Sequence, residues 1–315
     1  MVDLPYIPGE RGHHAKPAIG YAMVLAAATL FGLNGTVSKV VLASGISSLE
    51  LTQVRSLGAF VGFAIAMAIW RPAALRVTRR ELPFLAAFGI GGVALVQWFY
   101  FFSIHRLPVG IALLIQYLAP LIVALFAHFA MHQPVRRRIW VALACSLTGL
   151  GLIVEIWAGG ALSSVGIAAA LCGAFAYAAY VLLAERGVAK RDPGSLLCYG
   201  FLFAALFWTV VHPPWNYPAG RLDDSVSLLG RLDWAHLPIW LLMLFIVVVG
   251  TIVTFFLIVG ALQHITATRL GVVAMFEPVV ASAVAYAWLG ETFGGFQLVG
   301  AAIVLAGILL AQTAR

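Results

Sequence analysis

Apolar runs near or above the ~20 residues that a helix needs to cross ~30 Å of hydrocarbon recur in this chain from Ala18 almost to its C-terminus. A bilayer core offers no water to backbone N–H and C=O groups, so a spanning segment must satisfy its own hydrogen bonds, and helices do so segment by segment. Composition agrees: 63% of the 315 residues are hydrophobic, 10% are charged, and mean hydropathy is +1.01, whereas a soluble domain carries about 25% charged residues. The chain reads as an all-α integral membrane protein with nothing left over for a soluble domain.

Cutting the runs at charged, Pro and Gly punctuation predicts ten helices, over 18–43, 49–70, 83–103, 108–130, 139–157, 163–185, 195–212, 238–260, 267–289 and 295–313. Residues 1–17 are polar and rich in turn formers, and read as a short disordered cytoplasmic tail. The apolar run after them exceeds the core of a signal peptide, so it reads as a retained first helix. One long connection, 213–237, carries Pro213, Pro214, Pro218, Asp223, Asp224 and Asp233, and reads as a solvated loop or short lid.

Lys and Arg gather in short cytoplasmic loops. With the N-terminus inside, fourteen of the 19 basic residues (Arg11, Lys16, Arg71, Arg76, Arg79, Arg80, Arg136, Arg137, Arg138, Arg186, Lys190, Arg191, Arg269, Arg315) fall on that side and only Arg106, Arg221 and Arg231 on the other. Both termini are expected in the cytoplasm, with the chain multi-pass in a plasma or inner membrane. A net charge of +7 spread over short loops is not the clustered basic face that nucleic acid requires. Cys145, Cys172 and Cys198 are isolated in apolar segments, and the histidines near helix ends lack ligand spacing. No metal and no cofactor are expected.

The chain also repeats itself. Pro120 in IQYLAPLIVALFAHFAMHQP matches Pro278 in VAMFEPVVASAVAYAWLGET at an offset of 158 residues, and the same offset carries Gly149 onto Gly307. A looser match relates LFGLNGTVSKV to AFAYAAYVLLA. Two halves of five helices follow, 18–157 and 163–313. Five is odd, so the second copy enters the membrane from the opposite face. Inverted repeats of this kind are a transporter plan, with the substrate site near the midplane where the halves meet.

The blocks ALLIQYLAPLIVALFAHFAMHQP…ALACSLTGLGLIV and VVAMFEPVVASAVAYAWLGETFGGFQLVGAAIVLAGILL resemble the two EamA repeats of the drug/metabolite transporter superfamily. The second is the closer match, with its E-P pair, small-residue run, W-L-G-E and A-G-I-L-L. The first carries Ala119 where Glu277 stands and His132-Gln133 where Gly290-Glu291 stand. The resemblance spans Ala18 to Gln312 and implies a ten-helix carrier that exports amino acids, other metabolites or toxic compounds. It does not specify the substrate.

Several residues are candidates for substrate binding or coupling. Glu277 leads, because a charged group at a helix centre costs about 2.5–3.5 kcal/mol on insertion scales and usually marks an ion or substrate path. Pro278 and Pro120 lack an N–H, which strips the carbonyls of Ala274 and Gln116 of their usual partners. Two kinks lining one cavity are therefore predicted. Lys39 and Arg55 are the cations near that axis, each a candidate partner for Glu277, Glu50 or a substrate carboxylate. Asn34, Gln97 and Gln116, with Gln53, Thr251 and Thr254, are uncharged polar groups in apolar helices, suited to a zwitterion or to holding helices together. Trp98, Tyr117, Tyr177 and Tyr180, with Tyr100 and Tyr199, are candidate cavity aromatics. Trp157, Trp208, Trp240 and Trp288 fit an interfacial belt. Gly58 and Gly62, and Ala170, Ala174 and Ala178, mark close-packing faces.

The function expected is secondary transport, export of a small amphipathic metabolite by alternating access, with coupling to protons through Glu277 as an addition. Facilitated uniport or import is the alternative. An intramembrane enzyme is disfavoured: the chain has no H-E-x-x-H, no G-x-S-x-G and no Asp in any predicted span. The partners expected are a small-molecule substrate and the bilayer, with the chain a monomer or homodimer.

Overall fold

The computed structural model describes residues 16–104, 106–107, 109–132, 134–154, 163–213, 219–290 and 294–313. The expected tail up to Ala15, with His105, Trp157, Pro214, Pro218 and Glu291, lies outside them. Among the described residues nine helices are long and apolar enough to cross a membrane: α1 Pro17–Ala43, α2 Ser48–Trp70, α3 Leu82–Tyr100, α4 Ala112–Phe129, α5 Arg137–Val154, α6 Ser164–Val188, α7 Pro193–Val211, α8 Ile239–Ala261 and α9 Ala267–Leu289. A tenth, shorter apolar helix, α10, covers Gly295–Ala311. The protein is a multi-pass helical membrane protein.

Local chemistry sets where these helices start. Ser47 opens α2 with a reciprocal capping box: its hydroxyl accepts from Glu50 N at 3.2 Å while Glu50 Oε2 accepts from Ser47 N at 2.6 Å. Asp192 caps α7 just before Pro193, a residue suited to a first helical turn. At α9 the Thr266 hydroxyl accepts from Arg269 N, and buried Glu185 of α6 accepts from Ala267 N at 3.2 Å. An acid there also answers the positive end of the helix dipole.

The packing interleaves the two halves of the chain. α1 lies against α8 and α9, and α6 lies against α3 and α4; α2 pairs with α7 and α5 with α10. Exchanging the first five helices for the last five leaves this pattern unchanged. The α5–α10 contact is closest where Gly149 faces the Gly300 carbonyl and Gly307 faces Ser146. Gly58 and Gly62 lie against Val247 and Ile252 of α8, so this small-residue face of α2 is used inside the chain. Ala170, Ala174 and Ala178 are likewise buried.

Several spans depart from regular helix. α4 is interrupted at Tyr117-Leu118 and α9 at Met275, each just ahead of its proline. Widened π-type turns occupy Ala87–Ala94 in α3 and Val248–Val253 in α8. Gly92 and Gly250 lie in these widened stretches, again 158 residues apart.

The connection expected as a solvated loop or short lid carries, in its described part 219–237, a small hairpin. Ser225–Ser227 (β1) pairs antiparallel with His236–Pro238 (β2), Val226 opposite Leu237. Three-residue strands are too short to display the alternation that betrays a strand in sequence. Leu228, with Val226 and Leu237 packed alongside, joins a cluster with Val37, Val41, Leu51 and Ile239, so the hairpin covers one end of α1, α2 and α8.

At the opposite end, Arg191 ties the start of α7 to the α2–α3 connection. Its guanidinium donates to Glu81 Oε2 at 2.6 Å, to Ser195 Oγ at 2.9 Å, and to the carbonyls of Ala74 and Arg76 at 2.9 and 3.1 Å. Its side chain is 9% exposed, whereas Arg71, paired with Asp192, is 68% exposed. Arg191→Ala is expected to destabilise the protein by about 1–2 kcal/mol, because a nine-tenths-buried guanidinium that makes four charge-assisted bonds is lost, and Arg71→Ala by less than about 1 kcal/mol. Melting curves of the two variants in one detergent make the comparison; equal losses would contradict it.

Candidate functional site

Two interrupted helices bring Tyr117 and Glu277 together. Glu277 stands in the first turn of the second segment of α9, where backbone N–H groups favour a carboxylate. Tyr117 stands in the break of α4 and donates its hydroxyl to Glu277 Oε2 at 2.8 Å. The helices approach closely beside this bond, since a Cβ on Gly271 would lie 2.8 Å from Pro120 Cβ. Glu277 is half-buried and retains accessible surface beside this bond.

Arg55 is the opposite charge. It is 9% exposed and donates from Nε to Thr251 Oγ1 at 3.1 Å. Thr251 sits in the widened stretch of α8, which lets its hydroxyl reach the Ile246 carbonyl five residues back at 2.8 Å. The neighbouring Gly250 has no side chain, and Asn34 of α1 fills that place with its Oδ1 unpartnered. Two residues earlier on α1, a Cβ on Gly32 would meet Ala281 N at 2.9 Å, one turn beyond Glu277. These contacts run from Arg55 to Glu277 through α8, α1 and α9.

Arg55 and Glu277 are near enough to feel each other's charge, with Tyr100 close to both and Tyr177 close to Glu277. Among the described residues, however, Arg55 and Glu277 form no ion pair within 4 Å. Each charge is held by a hydroxyl from the other half of the chain: Arg55 of α2 by Thr251 of α8, and Glu277 of α9 by Tyr117 of α4.

An aromatic cluster stands alongside. Tyr180 stacks on Phe88 with ring centroids 5.5 Å apart and on Tyr177 at 6.1 Å, and meets Phe255 edge-on at 5.9 Å. Its hydroxyl is buried and unpartnered. Gly92 lies against Tyr180 as Gly250 lies against Asn34. The 158-residue offset links those two glycines, and the sequence reading passed over them. The signal was available, in the spacing already used for the two prolines.

The other sequence candidates fall around this centre. Gln97 donates to Val93 O at 3.1 Å on its own helix and leaves its Oε1 unpartnered. Trp98 stacks on Trp208 at 5.5 Å, and Trp208 is 1% exposed. Trp208 is therefore a core residue and not part of an interfacial belt; proximity to a span end misplaced it, because α7 buries this face against α3. Gln116 precedes the break of α4. Lys39 is exposed, one turn beyond Asn34 and outside the buried cluster. Glu50 is engaged in its cap. Gln53 Nε2 donates to His212 O at 2.7 Å, linking the start of α2 to the end of α7. Among the described residues no group of three or more His, Cys, Asp or Glu is placed to hold a metal.

A half-buried carboxylate at the break of α9 and a buried guanidinium on α2, each bonded across the two halves, are features suited to a membrane transporter. Comparison with known proteins agrees. The model of the EamA-like transporter family matches residues 18–155 and again 164–313, and the chain belongs to that family. It is a transporter and not an enzyme. Among relatives, the threonine/homoserine exporter RhtA of Salmonella typhimurium is 29% identical over 84% of this chain and 80% of its own length. An uncharacterized transporter of Archaeoglobus fulgidus is 30% identical over 89% of this chain and 92% of its own. A crystal structure with 18% sequence identity superposes with a TM-score of 0.74, covering 93% of this chain and 96% of that one, which speaks for the fold.

Proposed function

We propose that this protein exports an amino acid or a related small metabolite from the cytoplasm across the plasma or inner membrane, by alternating access through a midplane cavity. The observation that carries the reading is the pair of opposite charges within the helical bundle, buried Arg55 and half-buried Glu277, supplied by different halves and anchored across the interface between them. If the halves rock, both anchors are remade, and a ligand between the charges passes from one side to the other. The relatives named as threonine/homoserine exporters support both the direction and the substrate class.

In this reading the chain forms ten spanning helices in two inverted repeats, 18–157 and 163–313, with both termini cytoplasmic. The end bearing the Arg191 cluster is the cytoplasmic one, in keeping with the basic loops beside it. Pro120 and Pro278 hold open the two breaks that line the cavity.

Efflux of labelled amino acids from loaded proteoliposomes tests the proposal. Flux that depends on the protein and saturates with substrate is expected; no flux across a chemically varied panel would sink it. Proton coupling through Glu277 predicts that Glu277→Gln abolishes acceleration by a pH gradient. An unchanged gradient response would remove the coupling and leave facilitated transport standing.

A further inference from the structure

We infer that Arg55 and Glu277 read the two ends of a zwitterion, Arg55 taking the carboxylate and Glu277 the ammonium group, so that the ligand itself completes the charge pair across the two halves of the chain. This rests on the transporter reading above and adds the chemical class that the site selects.

The geometry argues for it in three steps. First, two opposite charges in a low-dielectric interior normally close into a direct pair. Here each is held by a neutral hydroxyl and they make no ion pair within 4 Å. Second, Arg55 uses only Nε for its Thr251 bond; its terminal nitrogens carry no hydrogen bond among the described residues. A guanidinium presents a planar fork that matches a carboxylate with two parallel bonds, and a residue nine-tenths buried with that fork uncommitted is a built carboxylate receptor. Third, Glu277 accepts from Tyr117 at Oε2 and keeps Oε1 and accessible surface for a further donor. Asn34 Oδ1, buried against Gly250 next to Thr251 in sequence, is a further polar atom in this region without a partner.

Thr251 and Tyr117 are positioning residues in this scheme. They fix the direction of each charge and hold the two apart. An α-amino acid satisfies both ends at once. A simple anion or cation satisfies one and leaves the other charge buried without a partner.

The test compares threonine, threonine methyl ester and N-acetylthreonine, at a pH where each keeps its expected charge. Transport and ligand-induced thermal shift of the purified full-length protein are both read. The wild-type protein is expected to prefer threonine over each derivative by about tenfold or more, the scale of a lost charge-assisted bond. Arg55→Gln should lose the discrimination against the ester and keep that against the N-acetyl compound, whereas Glu277→Gln should do the reverse. A merely structural role for either residue would weaken all three ligands alike and overturn the assignment. Equal handling of the three compounds by the wild-type protein would also overturn it, without any variant having to fold. Flux without charge discrimination defeats this inference alone, while absence of flux for every compound defeats the transporter reading, and a thermal shift confined to threonine would still support the site.

Discussion

Arg55→Met is expected to melt at a lower temperature than the double variant Arg55→Met/Glu277→Gln, although both transport at least tenfold more slowly than the wild-type protein. In the wild-type protein the two charges interact over more than 4 Å, where an effective dielectric near 20 bounds their attraction below about 4 kcal/mol. Removing one leaves the other in the bundle without its counter-charge, and such truncations are more destructive than removal of the whole pair. We expect a loss of about 1–3 kcal/mol from either single change, with a substantial part recovered in the double. Transport should follow the opposite rule, falling at least tenfold in all three, because a ligand that needs both charges cannot use a site with neither. A double variant less stable than both singles, or one that transports as fast as the wild-type protein, would contradict this account of the site.

The fold was legible where the physics is repetitive. Long apolar runs are a signal that a bilayer imposes on every spanning segment, and the offset linking Pro120 to Pro278 marks the two repeats that the family model also matches. The candidate site was legible in part. Glu277, Arg55, Tyr117 and Asn34 stood out because polar groups are expensive in hydrocarbon, and the structure gathers them around one region. Their pairing was hidden, since no local rule says that Thr251 meets a residue 196 positions earlier or that Tyr117 meets one 160 positions later. Lys39 was a candidate beside Arg55 in sequence, though its long stem could also reach the interface; the rotation of α1 places it on the exposed side. Trp208 failed for the same reason, as depth can be counted along a helix but facing cannot. The β1–β2 hairpin escaped because its strands are shorter than one alternation can reveal.

Two neighbouring glycines on α5 should answer the same substitution with opposite signs. A Cβ at Gly149 would lie 2.6 Å from the Gly300 carbonyl oxygen and 2.9 Å from Val304 N, whereas one at Gly151 meets nothing within 4 Å. Ala is the better helix former, so Gly151→Ala is expected to stabilise by about 0.5–1 kcal/mol. At Gly149 the obstacles are backbone atoms of α10, which cannot rotate away as a flexible side chain would. The helices must separate, and a membrane offers little hydrophobic drive to hold them together once close packing is lost. Gly149→Ala should therefore destabilise by about 1–3 kcal/mol, and Gly149→Val by more. Gly300→Ala is the reciprocal probe, because its Cβ would lie 2.5 Å from the Gly149 carbonyl oxygen. Thermal melts of the four variants in one detergent decide the matter. If Gly149→Ala and Gly151→Ala move the midpoint in the same direction, close glycine packing of α5 on α10 does not hold the two halves together.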